Sequence, residues 1–263
     1  MTTPRRGRLL AFVPVITLAL FLTPIAAGVI GTVLPSFNYF PALGDTDLSL
    51  APWRALTATP GLIRSITLSV GTGISSTVLS LLIVFAFCAT THATPLFARA
   101  SRLLAPLVAI PHVAMAMGLA FLIVPSGWAV RLISPWLTGW RLPPDYLALG
   151  DPWGLALIAG LTVKEVPFLL LMTLGALGQI RAEQTMAVAR SLGYGPVVGW
   201  IKGVLPRVYA QIRLPVYAVL AFSLSVVDMA IILTPTIPPP LSVQVFRWFR
   251  DPDLALQFQA AAG

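Results

Sequence analysis

GQIRAEQTMAVARSLGYGPVVGWIKGVLPRVYAQIRLP, residues 178–215, lies between two long apolar stretches, yet it carries Arg181, Glu183, Arg190, Lys202, Arg207 and Arg213. It is the longest polar run in a chain of 263 residues that is 57% hydrophobic. Loops of about 30 residues exceed what two packed helices need, and they are usually functional or disordered. Disorder does not suit this one, because Met186, Val188, Leu192, Val197, Val198, Trp200 and Ile201 are spread through it. Gly193-Tyr194-Gly195-Pro196 breaks it in the middle. The pattern predicts a short helix up to Leu192, a turn at 193–196, a second short helix, and a stop before Pro206. An amphipathic helix–turn–helix at the edge of a membrane domain is a docking element for a soluble partner.

Composition supports the membrane setting. The mean hydropathy is +0.87 and only 10% of residues are charged, against about a quarter in soluble domains. The single cysteine, Cys88, excludes a disulfide framework within the chain. The formal charge of +8 does not mark nucleic-acid binding, because the basic residues sit in short loops flanking apolar runs.

Five apolar runs are long enough to cross a hydrocarbon core of ~30 Å at ~1.5 Å per residue. They lie at residues 9–34, 62–90, 103–124, 153–177 and 208–233. The first follows a short basic start, MTTPRRGR, and is longer than a typical apolar signal core, so it reads as an uncleaved helix kinked at Pro14 and Pro24. In the second, Ser69, Gly73 and Thr77 recur every fourth residue with Ser76 and Ser80 beside them, a small-residue face that lets helices approach. Between the third and fourth, Pro125-Ser126-Gly127 stops a helix, and Trp128, Trp136, Trp140 and Tyr146 suit a membrane–water interface, with a short interfacial helix near 128–138. The fourth is interrupted by Lys164, Glu165 and Pro167, and the fifth carries Asp228 near its far end.

Basic residues alternate in density from loop to loop. One side holds Arg5, Arg6, Arg8, Arg99, Arg102, Arg181, Arg190, Lys202, Arg207 and Arg213. The other holds Arg54, Arg64, Arg131, Arg141, Arg247 and Arg250, together with Asp45, Asp47, Asp145, Asp151, Asp251 and Asp253. The richer side is expected in the cytoplasm, which places the N-terminus and residues 178–215 there.

The chain contains no phosphate-binding Gly-x-x-x-x-Gly-Lys-Ser/Thr loop and no His/Cys/carboxylate cluster at metal-ligand spacing, and its only histidines are His92 and His112. The residues that stand out are ionisable groups within the apolar runs: Lys164, Glu165 and Asp228. Such groups face a bundle interior or a cavity. They are candidates for the lining of a translocation path, and a structural ion pair or hydrogen-bond hub is the plainer alternative. His112, beside Pro111, reads as a hydrogen-bonded interior histidine.

The run Ala189-Arg190-Ser191-Leu192-Gly193, then Pro196, then Leu205-Pro206, resembles the cytoplasmic loop signature of ABC-importer permeases, the MetI-like, binding-protein-dependent family. The family pattern is Glu-Ala-Ala, three residues, Gly, nine residues, Ile, one residue, Leu-Pro. Its glycine falls on Gly193 and its Leu-Pro on Leu205 and Pro206. Its alanines fall on Val188 and Ala189. Ala187 stands at the Glu position and Gly203 at the Ile position, so the acidic residue is missing, with Glu183 one turn earlier as a substitute. The resemblance covers roughly residues 8–263 and is nearest to double-length permeases related to thiamine, ferric-iron and polyamine permeases.

What this resemblance implies is an all-α polytopic transmembrane bundle of the MetI-like permease kind. Five membrane helices are present, and a sixth is expected beyond the apolar stretch that begins at residues 254–263. Residues 1–61 would form an N-terminal helix and periplasmic loop, and residues 62–263 the permease core, with a coupling loop at 178–206. Glu183, Ala187, Ala189, Gly193, Pro196, Leu205 and Pro206 would engage an ATP-hydrolysing subunit. The chain itself would be no enzyme and would carry no cofactor. Its partners would be that ATP-binding subunit, a periplasmic solute-binding protein, a second permease unit, fused or separate, and the lipid of a bacterial inner membrane. A proton-coupled secondary transporter using Glu165 and Asp228 is the alternative. A membrane scaffold without transport is a further one.

Overall fold

The structure, a computed structural model, describes residues 5–91 and 94–263, and at residues 5–11, 98 and 105 it describes the backbone alone. His92 and the side chains of Arg5, Arg6 and Arg8 therefore lie outside the described residues. Helices account for the architecture. In chain order they are α1 (Arg5–Ser36), α2 (Ala51–Thr57), α3 (Leu62–Thr91), α4 (Pro95–Ala109), α5 (His112–Ile123) and α6 (Trp128–Ile133). These are followed by α7 (Leu155–Gln179), α8 (Ala182–Ser191), α9 (Pro196–Gly199), a π turn (Trp200–Val204) and α10 (Leu205–Ser225). The last are α11 (Asp228–Leu233), α12 (Leu241–Phe249) and α13 (Ala255–Ala262). Among the described residues, five spans are long and apolar enough to cross a membrane: Phe12–Ser36, Leu62–Thr91, His112–Ile133, Leu155–Gln179 and Pro196–Ser225.

Two compact units form. The first comprises Met1–Leu62 and Val245–Gly263. In it, α1 keeps Pro14, Pro24 and Pro35 within one helix, as membrane helices allow. Its Thr17 and Thr32 hydroxyls return to the carbonyls of Val13 (2.8 Å) and Gly28 (3.0 Å), which leaves neither hydroxyl bare in an apolar setting. Helix α13 packs on α1 and α2 around Leu56, Trp248, Ala260 and Ala262, and Gln259 donates to Thr59 Oγ1 at 2.6 Å.

The second unit is Ile63–Gln244. Helix α3 buries one stripe that includes Ser65, Ser69, Thr72, Ser76, Thr77 and Ser80. Helix α7 is set at its start by Asp151, whose carboxylate accepts from the backbone N–H groups of Trp153 (3.0 Å), Leu155 (2.9 Å) and Ala156 (3.2 Å). An acid there satisfies helix donors that otherwise have no partner. Arg64 donates to the Pro152 carbonyl and stacks over Trp153 at 5.2 Å, which ties α3 to the same corner.

Three expectations about helix boundaries are corrected. The helix expected at 103–124 is two helices, α4 and α5, with Ile110 in an extended conformation (ψ 126°) ahead of Pro111. Proline supplies no N–H and pushes its predecessor out of the helical region. The stop expected before Pro206 does not occur, and the chain runs helically from Pro196 to Ser225. The ladder widens instead: the Leu205 N–H reaches back five residues to the Trp200 carbonyl. A π turn just ahead of Pro206 accommodates a residue that cannot donate to the usual carbonyl. The helix expected at 208–233 thus starts earlier and ends at Ser225. Val226 is extended (ψ 131°), and its carbonyl accepts from Ser242 Oγ at 2.7 Å.

Candidate functional site

Lys164 and Glu165 follow one another on α7 and are both buried, with 9% and 4% exposure. Adjacent positions on a helix point ~100° apart, and each residue finds its own partners. Lys164 Nζ donates to the carbonyls of Val108 (2.8 Å) and Ile110 (2.5 Å). These are the carbonyls that the break at Pro111 deprives of helical partners. An ammonium at a helix C-terminus is also favoured by the helix dipole. Glu165 is held by serines: Oε1 accepts from Ser76 (3.3 Å) and from Ser223, and Oε2 accepts from Ser80 (2.9 Å). Two of these serines come from α3 and one from α10.

Both side chains line a cavity of about 270 Å³, walled otherwise by Val108, His112, Leu161, Phe168, Ala218, Val219 and Phe222. His112 is the first residue of α5, and its imidazole lies 4.7 Å from the Phe222 ring. Asp228 does not line the cavity. It opens α11 rather than ending α10, and its Oδ1 accepts from the Met229 N–H at 2.8 Å, an acid at a helix start. Of the three ionisable residues singled out in the sequence, Lys164 and Glu165 thus line one cavity together with His112, and Asp228 serves as an acid at a helix start. Sequence reasoning missed Ser76, Ser80 and Ser223 as carboxylate partners. The four-residue spacing of Ser76 and Ser80 was visible, though as a packing face, and nothing in the sequence singled out Ser223.

The serine arrangement gives a prediction. Ser76 and Ser223 also bond carbonyls of their own helices, Gly73 (3.1 Å) and Val219 (2.9 Å). Removing the carboxylate therefore strands only the Ser80 hydroxyl, and the cost of holding a carboxyl group away from water is relieved with it. Glu165→Leu is expected to change unfolding stability in detergent by no more than about 1 kcal/mol. A loss of about 3 kcal/mol or more, beyond what one stranded hydroxyl costs, would make Glu165 a structural hub instead.

The polar stretch forms a helical hairpin. Glu183 and Ala187 on α8 are exposed, and Ala189 is buried. Helix α8 closes with the Tyr194 N–H on the Ala189 carbonyl (3.0 Å) and the Gly193 N–H on the Arg190 carbonyl (3.0 Å). Gly193 stands at φ +81° between them. This is the paired 6→1 and 5→2 closure that requires a left-handed residue. Exposed Pro196 begins α9. The hairpin then folds on itself through two bare backbone positions. A Cβ at Gly199 would come within 3.0 Å of Ala189 Cβ, and one at Gly203 within 2.8 Å of Thr185 Cγ2. Arg207 adds a bond to Thr185 Oγ1 at 3.1 Å. Leu205 is half-buried and Pro206 exposed. Trp200, fully buried, lies 6.3 Å from the Phe85 ring of α3, in a core with Val84, Cys88, Val204 and Val208.

No family model matches the chain. Over 216 residues, 81% of its length, it is 34% identical to the inner membrane ABC transporter permease protein YnjC of Escherichia coli (strain K12). That stretch covers 40% of the relative, so the chain spans about two fifths of the length of the curated protein it matches.

Proposed function

Because the chain belongs to the ABC transporter permeases, multi-pass proteins of the inner membrane, we propose that it is the permease subunit of a binding-protein-dependent importer driven by ATP hydrolysis in a partner subunit. The observation that supports this reading best is the continuity of the hairpin with the cavity. From Trp200 to Phe222 the chain is helical throughout, a rise of about 33 Å at 1.5 Å per residue. One end of this rod is clamped to α8. The other end carries Val219 and Phe222 of the cavity wall and Ser223 of the Glu165 cage.

In the proposed cycle, a periplasmic solute-binding protein delivers a small solute to the outer face. ATP binding closes two ATPase subunits. The exposed surface of α8, with Glu183 and Ala187, rides on one of them in the cytoplasm, as does the turn at Gly193 and Pro196. The displacement enters the core at Trp200, passes Leu205 and Pro206, and tilts α10. Movement of Ser223 and Phe222 then alters the cavity beside Lys164 and Glu165, with Asp228 opening the next helix, α11, as a further candidate on the path. Two permease units, fused or separate, enclose the path. On this reading the N-terminus is cytoplasmic and hydrolysis resides in the partner.

Pull-down of the full-length protein in detergent tests the reading. An ATPase subunit is expected with the native loop and lost when Leu205 and Pro206 are replaced. Absence of an ATPase from the native form would sink the importer reading in favour of gradient-driven transport through Glu165 and Asp228. Gly193 supplies a finer test, because a Cβ there meets nothing within 4 Å and only the positive φ opposes a side chain. Gly193→Asn is expected to couple normally, since asparagine tolerates this conformation. Gly193→Val meets a penalty of about 1–2 kcal/mol and is expected to lower ATPase stimulation by the binding protein. Equal stimulation in both variants would count against a role for the turn geometry.

A further inference from the structure

Residues 124–154 connect α5 to α7, and they expose an unusual amount of apolar surface. Trp128, Trp136 and Trp153 are 66%, 88% and 69% exposed, and Leu132, Leu137 and Leu142 are 70%, 84% and 81% exposed. The segment is nonetheless built. Tyr146 Oη donates to the Ile123 carbonyl at 2.8 Å, fastening its return limb to the end of α5. The Gly150 N–H reaches the Leu233 carbonyl at 3.2 Å. Ser134 and Thr138 share a hydroxyl bond of 2.6 Å.

Within this segment lies a cavity of about 570 Å³, between α6 and residues 140–143. Arg131 lines it from α6 and Arg141 from the return limb, with Ser126, Ser134 and Trp140 among the other walls. We propose that this pocket binds the phosphate of a phospholipid headgroup, with the acyl chains lying over the exposed leucines and tryptophans around it. Three observations converge on that occupant. The pocket continues the surface of a span long and apolar enough to cross a membrane, where its neighbours would be lipid. Tryptophans of this kind settle at headgroup level. Two guanidinium groups complement one phosphodiester, which arginine engages through paired N–H donors. A soluble anion would satisfy the arginines but leave the apolar rim in water.

The proposal rests on the membrane reading and not on the coupling loop, so it stands or falls apart from the importer assignment. The test is native mass spectrometry of the full-length protein with phosphatidylglycerol or, separately, a neutral glycosyl-diacylglycerol lacking phosphate. The phosphatidylglycerol adduct is expected to survive activation, to fall roughly tenfold in Arg131→Gln/Arg141→Gln, and to resist millimolar inorganic phosphate. The single variants Arg131→Gln and Arg141→Gln, milder on folding, are each expected to lose part of it. Equal retention in the wild type and both single variants overturns the proposal. Equal binding of the glycosyl lipid removes the phosphate from it, and displacement by inorganic phosphate reassigns the pocket to a soluble anion.

Discussion

Lys164→Met is expected to lower the thermal midpoint of the protein in detergent and to reduce binding-protein-stimulated ATPase activity of the assembled complex by more than tenfold. The substitution preserves length and apolar stem, so packing changes little. What it removes is the ammonium that donates to the Val108 and Ile110 carbonyls. Charge-assisted bonds contribute about 1.5–3 kcal/mol each, so the two together amount to about 3–6 kcal/mol. The carbonyls cannot turn back to a helix, because the extended backbone at Ile110 (ψ 126°) and Pro111 (ψ 145°) interrupts the ladder that would have supplied their N–H partners. The end of α4 then loses the support that fixes Val108 and, across the break, His112 on the cavity wall. Tryptophan fluorescence during thermal unfolding reads the stability, and ATPase stimulation reads the function. A variant with wild-type values in both would show that the break is held by other contacts. A loss confined to stability would leave Lys164 structural and outside the path.

Gly154→Ala is expected to be among the most destabilising single-methyl additions in the second unit, at about 2–5 kcal/mol. Two independent penalties meet there. Gly154 stands at φ +69° where α7 begins, and a Cβ in that left-handed region costs about 1–2 kcal/mol. The same Cβ would lie 2.5 Å from Thr72 Cγ2 and 3.1 Å from Leu68 Cδ1. Thr72 is 2% exposed and its hydroxyl is engaged with the Leu68 carbonyl at 2.8 Å, so it cannot swing away freely. Overpacking of this kind typically costs about 1–3 kcal/mol. The two contributions can be separated. Gly154→Ala combined with Thr72→Ser, which deletes the clashing methyl while keeping the hydroxyl, is expected to regain the packing part and leave the conformational part. Full stability in Gly154→Ala alone would contradict both.

Much of the architecture was readable before any coordinates, because membrane crossing is written in local composition. Apolar runs long enough to span, tryptophans at their ends and a polar stretch broken at Gly193 are all properties of neighbouring residues. The closure at Gly193 belongs to the same class, since a left-handed residue ending a helix is a local requirement.

Proline shows where this legibility ends. Pro14, Pro24, Pro106, Pro167 and Pro215 all remain inside helices, whereas Pro111 divides one. Nothing adjacent in sequence separates these cases. The difference at Pro111 is that a lysine 54 residues beyond Ile110 accepts responsibility for the freed carbonyl. Glu165 is alike: its serine partners lie 89, 85 and 58 residues away. The sequence by itself determined that five runs are long and apolar enough to cross a membrane, the closure at Gly193 and the presence of ionisable groups within the apolar runs, since period, length and turn chemistry act over a few residues. Only the tertiary structure decided which helix breaks, which carboxylate and ammonium are satisfied, and that Lys164 and Glu165 line one cavity with His112 while Asp228 does not. Those outcomes depend on donors and acceptors brought together from distant helices, and a buried polar group takes its place only where such a partner meets it.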